Sequence, residues 1–184
     1  MARFFTADLH LWDEDIAKAR GFKDITEYHN RLREGWLQVL KPEDTVYVLG
    51  DISKGDWLSR SFALDIPGHK ILVPGNHDDF KAVSWLAEHK GWEIQFAPAV
   101  VLDGMKFICT HYPVHGDELL WYAGNLHGHI HRPYPEMGYE PQHWPSPSSP
   151  WMPGDKAYFN VNVEFNSYGP VSEDTIVKYF KSRG

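Results

Sequence analysis

The sequence predicts an α/β fold with mixed sheets, and three patterns carry that prediction. Short apolar runs alternate with helical periodicity through the first half of the chain, as in βαβ units. The second half is richer in strands. Five of the apolar runs end on Asp, Asn or His, and in α/β sheets ligands bind outside the carboxyl ends of strands.

In chain order, residues 3–7 (RFFTA) read as the first strand. A short helix is expected over 13–20. A longer one is expected over 24–40, where Ile25, Tyr28, Leu32, Trp36 and Val39 fall on one face and Asp24 and Glu27 form a capping pair. Residues 45–49 and 70–73 are strands; 57–64 and 80–89 are short helices. Residues 100–102 and 105–108 flank Asp103-Gly104, both tolerant of positive φ, which predicts a hairpin whose second arm runs through 106–110. A further strand is expected over 158–163. Ser172 opens a last helix with Ile176, Val177 and Phe180 inward. The Pro-, Trp- and Tyr-rich stretch 132–154 reads as a loop insertion in a single domain spanning 1–184.

The 184 residues carry 18 Lys and Arg against 25 Asp and Glu, a net charge of −7. That balance argues against a protein that grips long nucleic acid by bulk charge, and leaves room for a short nucleotide held locally. Apolar content of 42% and aromatic content of 15% exclude general disorder. No apolar run reaches the roughly 18 residues a membrane helix needs, and the opening stretch is too short for a secretory signal. A cytoplasmic protein without a membrane partner is expected. The lone Cys109 excludes an internal disulfide framework or a thiolate-rich metal site. The 11 His are the unusual count.

Their positions matter more than their number. The first strand runs into Asp8-Leu9-His10, the second into Gly50-Asp51, the third into Gly75-Asn76-His77-Asp78. Residues 106–110 run into His111, and Asn125-Leu126-His127 into Gly128-His129-Ile130-His131. Asp8 and His10 are two apart, as are His129 and His131, so in extended backbone each pair points the same way. Gly50, Gly75 and Gly128 each precede a polar residue and allow close backbone approach. The candidate ligand set is Asp8, His10, Asp51, Asn76, His111, His129 and His131. One ion rarely takes seven such donors, whereas two ions sharing a carboxylate would have four each. Imidazole and oxygen ligands without thiolate suit Mn²⁺, Fe, Zn, Co or Ni better than Ca or Mg.

Taken in order, Asp8-x-His10, Gly50-Asp51, Gly75-Asn76-His77-Asp78, His111 and Gly128-His129-x-His131 resemble the motifs of the calcineurin-like metallophosphoesterases, and they span residues 8–131. The wider chain is similar to the small single-domain phosphoesterases of bacteria and phages. The stretch from Lys41-Pro42 to Gly50-Asp51, and Asn160-Val161-Asn162-Val163 ahead of Gly169-Pro170, carry that likeness. The resemblance implies two facing mixed β-sheets flanked by helices, a four-layer sandwich. It implies one metal on Asp8, His10, Asp51 and His131 and a second on Asp51, Asn76, His111 and His129, with Asp51 as the bridge. His77 would face the substrate as proton donor. The chain departs from the pattern at Lys54, where many relatives carry a second Asp, and at Glu164, where close relatives carry Asp.

The activity so implied is hydrolysis of small phosphodiesters or phosphomonoesters by hydroxide formed between two divalent ions, Mn²⁺ first among them. A nucleotide or other small phosphate ester is the expected partner. The same centre would serve a hydrolase of dinucleotide polyphosphate or nucleotide pyrophosphate linkages. A non-catalytic scaffold of the same fold is the alternative from another class, and the intact ligand set and His77 weigh against it. Lys54, His115 and Arg132 are candidate substrate contacts. His127 reads as a packing residue, and His29, His69, His89 and His143 as surface residues. Tyr134, Tyr139, Trp144 and Trp151 in the 132–154 loop are expected to pin it down or to stack on a ligand.

Overall fold

Strand pairing sorts the apolar runs into two sheets. The computed structural model describes residues 1–53, 66–132 and 156–183. In chain order it contains β1 (Arg3–Thr6), α1 (Glu14–Ala19), α2 (Ile25–Leu37), β2 (Thr45–Val48), β3 (His69–Leu72), α3 (Phe80–Lys90) and β4 (Glu93–Ile94). There follow β5 (Ala99–Leu102), β6 (Met105–Thr110), β7 (Gly124–His127), β8 (Tyr158–Asn160), β9 (Val171–Ser172) and α4 (Glu173–Lys181). One sheet has the order β4-β3-β2-β1-β9 and the other β5-β6-β7-β8. β1, β2 and β3 are mutually parallel, as are β6, β7 and β8. Antiparallel β9 and β5 make both sheets mixed.

Alternation along the strands builds the two cores. Phe4, Val46, Val48 and Leu72 face one way and pack with Ala17, Tyr28, Leu32, Trp36, Val83 and Leu86 from α1, α2 and α3. Phe5, Leu49 and Val73 face the other way and meet Val100, Leu102, Phe107, Cys109 and Leu126 of the second sheet. α4 lies against β1 and β9 and sends Ile176 and Phe180 into that inter-sheet core. Two facing mixed sheets flanked by helices are therefore present, as the resemblance implied. No helix among the described residues is long and apolar enough to cross a membrane.

The helix boundaries follow local chemistry. Asp13, Asp24, Asp79 and Ser172 cap the four helices by accepting from backbone N–H groups of the first turn. α3 ends at Gly91 in a left-handed cap. Burying Tyr28, Leu32 and Trp36 anchors α2 to the sheet, at roughly 1.5–3 kcal/mol for each large apolar side chain. The Asp103-Gly104 hairpin forms with both residues at positive φ.

Several expectations are corrected. α2 stops at Leu37, so Val39 lies beyond the helix and is exposed rather than on its buried face. His29 is buried, not a surface residue, because the segment after His10 folds over α2. His29 Nε2 accepts the Trp12 N–H at 3.0 Å, with the Trp12 ring edge-on at 4.8 Å. The strand expected over 158–163 ends at Asn160, where Asn162 caps a short 3-10 turn, Val163–Phe165. The two-residue strands β4 and β9 have too little pattern to be seen in sequence. The helix expected over 57–64, Lys54, and the 132–154 loop beyond Arg132, with His143 and its aromatic residues, lie outside the described residues.

Candidate metal centre

The parallel strands leave their carboxyl ends on one side, and the polar residues that follow them converge there. Asp8, His10, Asp51 and His131 bring one donor atom each to within 4.8 Å of one another. Asp51, His111 and His129 do the same. Asn76 joins this second group, its Oδ1 2.9 Å from His111 Nε2. Asp51 belongs to both, with Oδ2 3.6 Å from His10 Nε2 and 3.4 Å from His111 Nε2. Asp8, His10, Asp51 and His111 are buried, His129 and His131 partly so, and Asn76 and His77 are exposed at the mouth.

The backbone achieves this convergence in a way the spacing argument did not foresee. Asp8, His10, Asp51 and His129 have φ of 58°, 41°, 53° and 65°. They are in the left-handed region, so the Asp8–His10 and His129–His131 pairs are not aimed by extended-strand alternation. Such conformations cost of order 1–3 kcal/mol each and cluster at functional sites. Surrounding contacts impose them. Asp8 N–H donates to Gly50 O at 3.0 Å and His10 N–H to Asp51 O at 2.9 Å. The His129 N–H donates to both Asp8 carboxylate oxygens, at 3.1 and 3.0 Å, and so joins the loops of the two sheets. Asp78 accepts from the N–H groups of Asp51, Ile52 and Gly75 at 2.8–2.9 Å and ties the β2 loop to the β3 loop.

Two glycines are required by this crowding. Gly50 has φ of +87°, and a Cβ there would lie 2.4 Å from His111 Nδ1. At Gly75 a Cβ would lie 2.3 Å from Asp51 Oδ1 and 2.6 Å from Asp51 N.

The electrostatics separate the residues by role. Burial alone would raise Asp51, but the His111 hydrogen bond and charge, with His10 and the His77 N–H, hold it well below the usual carboxylate range. Burial, then Arg20, push His10 well below the ordinary histidine value. Burial, with the charge of His111, pushes His129 down to about 4. His131 moves the other way, to about 9: burial opposes the shift, and hydrogen bonds to Asp8 and Glu164 outweigh it. His111 is also raised, by Asp51 and Asp8 against its burial.

These residues fit a divalent metal ion. His10 Nε2 lies 3.3 Å from His131 Nε2, and His111 Nε2 lies 3.2 Å from His129 Nδ1. Ring nitrogens that close repel unless a proton or a cation lies between them. The set offers imidazole and oxygen donors without thiolate, the preference of Mn, Fe, Co, Ni and Zn.

The other singled-out residues sit as follows. His77 donates its backbone N–H to Asp51 Oδ1 at 2.9 Å and sets its ring edge-to-face with that of His10, centroids 5.3 Å apart. His115 caps the turn Gly116–Leu119 and lies 3.3 Å from the Asp117 carboxylate. Arg132 is exposed, with its guanidinium over the Phe165 ring and its N–H on Glu164 Oε2 at 2.9 Å. His127 is buried, its Nδ1 2.8 Å from Gly128 O. Sequence reasoning missed Arg20, Asp78 and Tyr112. Arg20 reaches the site from the end of α1, and its separation from Glu164 by 144 residues left no local signal. Tyr112, beside His111 in sequence, sets its ring at a tilt of 49° to that of His129, with centroids 4.2 Å apart.

No protein-family model matches the chain. The Gene 66 protein of Mycobacterium phage L5 is 40% identical over 80 residues, 41% of this chain and 39% of the phage protein, so the match spans about two fifths of that relative. An uncharacterised protein of Methanocaldococcus jannaschii, MJ1445, is 27% identical over 180 residues, 95% of this chain and 89% of its own. Among solved structures, the protein of unknown function AQ665 from Aquifex aeolicus superposes with a TM-score of 0.71 and 26% identity, over 96% of this chain and 98% of its own. These last two likenesses run nearly end to end, so they concern the whole fold rather than one motif.

Proposed function

We propose that this protein is a metal-dependent phosphoesterase that hydrolyses small phosphodiesters or phosphomonoesters at a two-metal site. The observation that carries this reading is the convergence of two donor groups, one from each side of Asp51, on the carboxyl ends of strands from both sheets.

Asp8, His10, Asp51 and His131 would hold one divalent ion, and Asp51, Asn76, His111 and His129 the other. When bound, such a pair supplies Lewis acidity and positive charge to a phosphoryl group and acidifies water. Asp51, kept ionised by its His neighbours, offers the same oxygen, Oδ2, toward both His groups while Oδ1 takes the His77 N–H. His111 directs its Nδ1 proton to the Leu49 carbonyl at 2.9 Å, which leaves the Nε2 lone pair for the centre. His10 and His129 are neutral near pH 7, the form a ligand must have, whereas His131, raised to about 9 by Asp8 and Glu164, would release its Nε2 proton as an ion binds. His77, exposed at the mouth and held through its own backbone, presents an imidazole to the leaving oxygen, a role worth about 10²–10⁴-fold in rate. No Ser or Cys nucleophile is required, and buried Cys109 has its thiol pushed up well beyond the ordinary range by burial.

The test is to strip the protein with chelator, restore Mn²⁺, and follow bis-p-nitrophenyl phosphate beside p-nitrophenyl phosphate. Turnover that returns with Mn²⁺ and is lost in Asp51→Asn is expected, with His77→Ala slower by about 10²–10⁴-fold. Faster cleavage of the diester assigns a phosphodiesterase, and of the monoester a phosphatase. Two bound metals with neither ester cleaved would overturn the reading.

A further inference from the structure

Resting on that functional reading, we propose that Glu164 and Arg20 are a positioning pair for the first ligand group, orienting His131 and locking it to the loop that carries Asp8 and His10.

The contacts are specific. His131 Nδ1 lies 2.6 Å from Glu164 Oε1. A carboxylate only accepts, so the Nδ1 proton points at Glu164 and the opposite nitrogen, Nε2, is the one left for the centre. That Nε2 lies 3.4 Å from Asp8 Oδ1 and 3.3 Å from His10 Nε2. Glu164 is itself held on every side. Its Oε1 takes Arg20 Nε at 2.9 Å and Nη2 at 2.7 Å, its Oε2 takes the Arg132 N–H at 2.9 Å, and its own N–H donates to Asn162 Oδ1 at 2.9 Å.

Arg20 does more than balance this charge. Its Nη2 also donates to the Asp8 carbonyl at 2.9 Å, and its Nη1 meets the Tyr28 hydroxyl, which donates to the Leu9 carbonyl at 2.7 Å. One guanidinium therefore holds the Asp8 carbonyl directly and the Leu9 carbonyl through the Tyr28 hydroxyl, and the same group holds the carboxylate that aims His131. The first ligand group draws Asp8 and His10 from the end of β1 and His131 from the end of β7, in different sheets. The Arg20–Glu164 pair fixes these parts relative to each other. It is 0% and 1% exposed, and a buried ion pair is weak evidence for stability in itself, since burial cancels much of its attraction. Orientation of a ligand is the use to which its geometry is suited. The second group has no part in this network: His111 is oriented by a backbone carbonyl instead.

The experiment titrates Mn²⁺ into chelator-stripped wild-type protein, Glu164→Gln and Glu164→Asp by calorimetry, with the melting temperature of each metal-free protein recorded alongside. Wild type is expected to take two ions. Glu164→Gln, which keeps the shape and removes the charge, is expected to weaken one of them by about 10–100-fold and leave the other unchanged. Glu164→Asp, which keeps the charge but withdraws it by a methylene, should show the same one-sided loss at smaller size. It also serves as the test if the Gln variant does not fold. A merely structural role would lower both affinities in step with the melting temperature. Equal weakening of both ions, or of neither, would overturn the inference and leave the functional reading standing. Wild-type protein that takes up no Mn²⁺ would overturn both.

Discussion

His131 and His111 hold corresponding places in the two ligand groups, yet the far nitrogen of each ring meets a different partner. His131 Nδ1 faces the Glu164 carboxylate, inside a network that runs through Arg20 and Tyr28 to the β1 loop. His111 Nδ1 faces the Leu49 carbonyl, part of the backbone at the end of β2. The first group is thus braced by charged side chains drawn from distant segments. The second is braced by main chain and by closeness, with Gly50 and Gly75 making the room. The difference teaches where each half is vulnerable: the first to loss of a charge, besides a methyl group at Gly128, where a Cβ would lie 2.6 Å from Asp8 Oδ2, and the second chiefly to gain of a methyl group.

Gly75→Ala is the substitution that should break the second half most severely. Its Cβ would overlap Asp51 Oδ1 and lie too near Asp51 N, a backbone atom that cannot swing aside. Overpacking of this kind costs about 3 kcal/mol, which at this chain length lowers the melting temperature by roughly 6–12 °C. Because Asp51 belongs to both groups, both Mn²⁺ affinities should fall together, unlike the one-sided loss in Glu164→Gln. Calorimetry and thermal melting on the same sample check this, and a variant with wild-type melting and two tight ions would show that the Asp51 loop yields freely.

Acid should act on the braced half through His29. Burial lowers its pKa from 6.5 to about 4. The unfolded chain therefore takes up the proton first as pH falls. The stability held by neutral His29 is whole above pH 6.5 and is lost as pH drops toward 4, by at most about 3 kcal/mol. Protonation also removes the acceptor that receives the Trp12 N–H two residues past His10. Buried His127 and partly buried His129 titrate in the same window, so the quantity to measure is the difference between wild type and His29→Gln in urea midpoint from pH 7 to pH 4. That difference should shrink with acid; a constant difference would contradict the assignment.

How much of this was legible beforehand depends on how local the cause was. β1, β2, the helix from Asp24 and the Asp103-Gly104 hairpin were legible because each is written in a few consecutive residues. The places of Asp8, Asp51, Asn76, His111 and His129 were legible because each directly follows a strand or nearly so. The left-handed backbone of Asp8, His10, Asp51 and His129 was not, since Asp and His carry no turn signal as strong as glycine and the conformation is imposed by hydrogen bonds from other loops. Nor was the burial of His29, which depends on the segment after His10 lying across α2. β9 exists only because β1 is there to pair with it. Arg20 looked like an ordinary charge at a helix end until the fold set it against Glu164.

Tyr112 sharpens the comparison at its mild end. It is exposed, yet its ring lies 4.2 Å from that of His129 and 5.1 Å from that of His111, so it supports the second group from outside by contact alone. An aromatic pair is worth about 0.5–1.5 kcal/mol beyond the area it buries. Tyr112→Ala should therefore weaken one Mn²⁺ site by roughly 2–10-fold, with folding stability nearly unchanged because no buried polar group loses its partner. The site affected should be the one that Glu164→Gln spares. Adding both substitutions to one chain then gives a direct check, since independently braced halves must lose their ions additively. A Tyr112→Ala variant that weakens the same site as Glu164→Gln would show that the two halves share one brace, and that the division between charge and closeness does not hold.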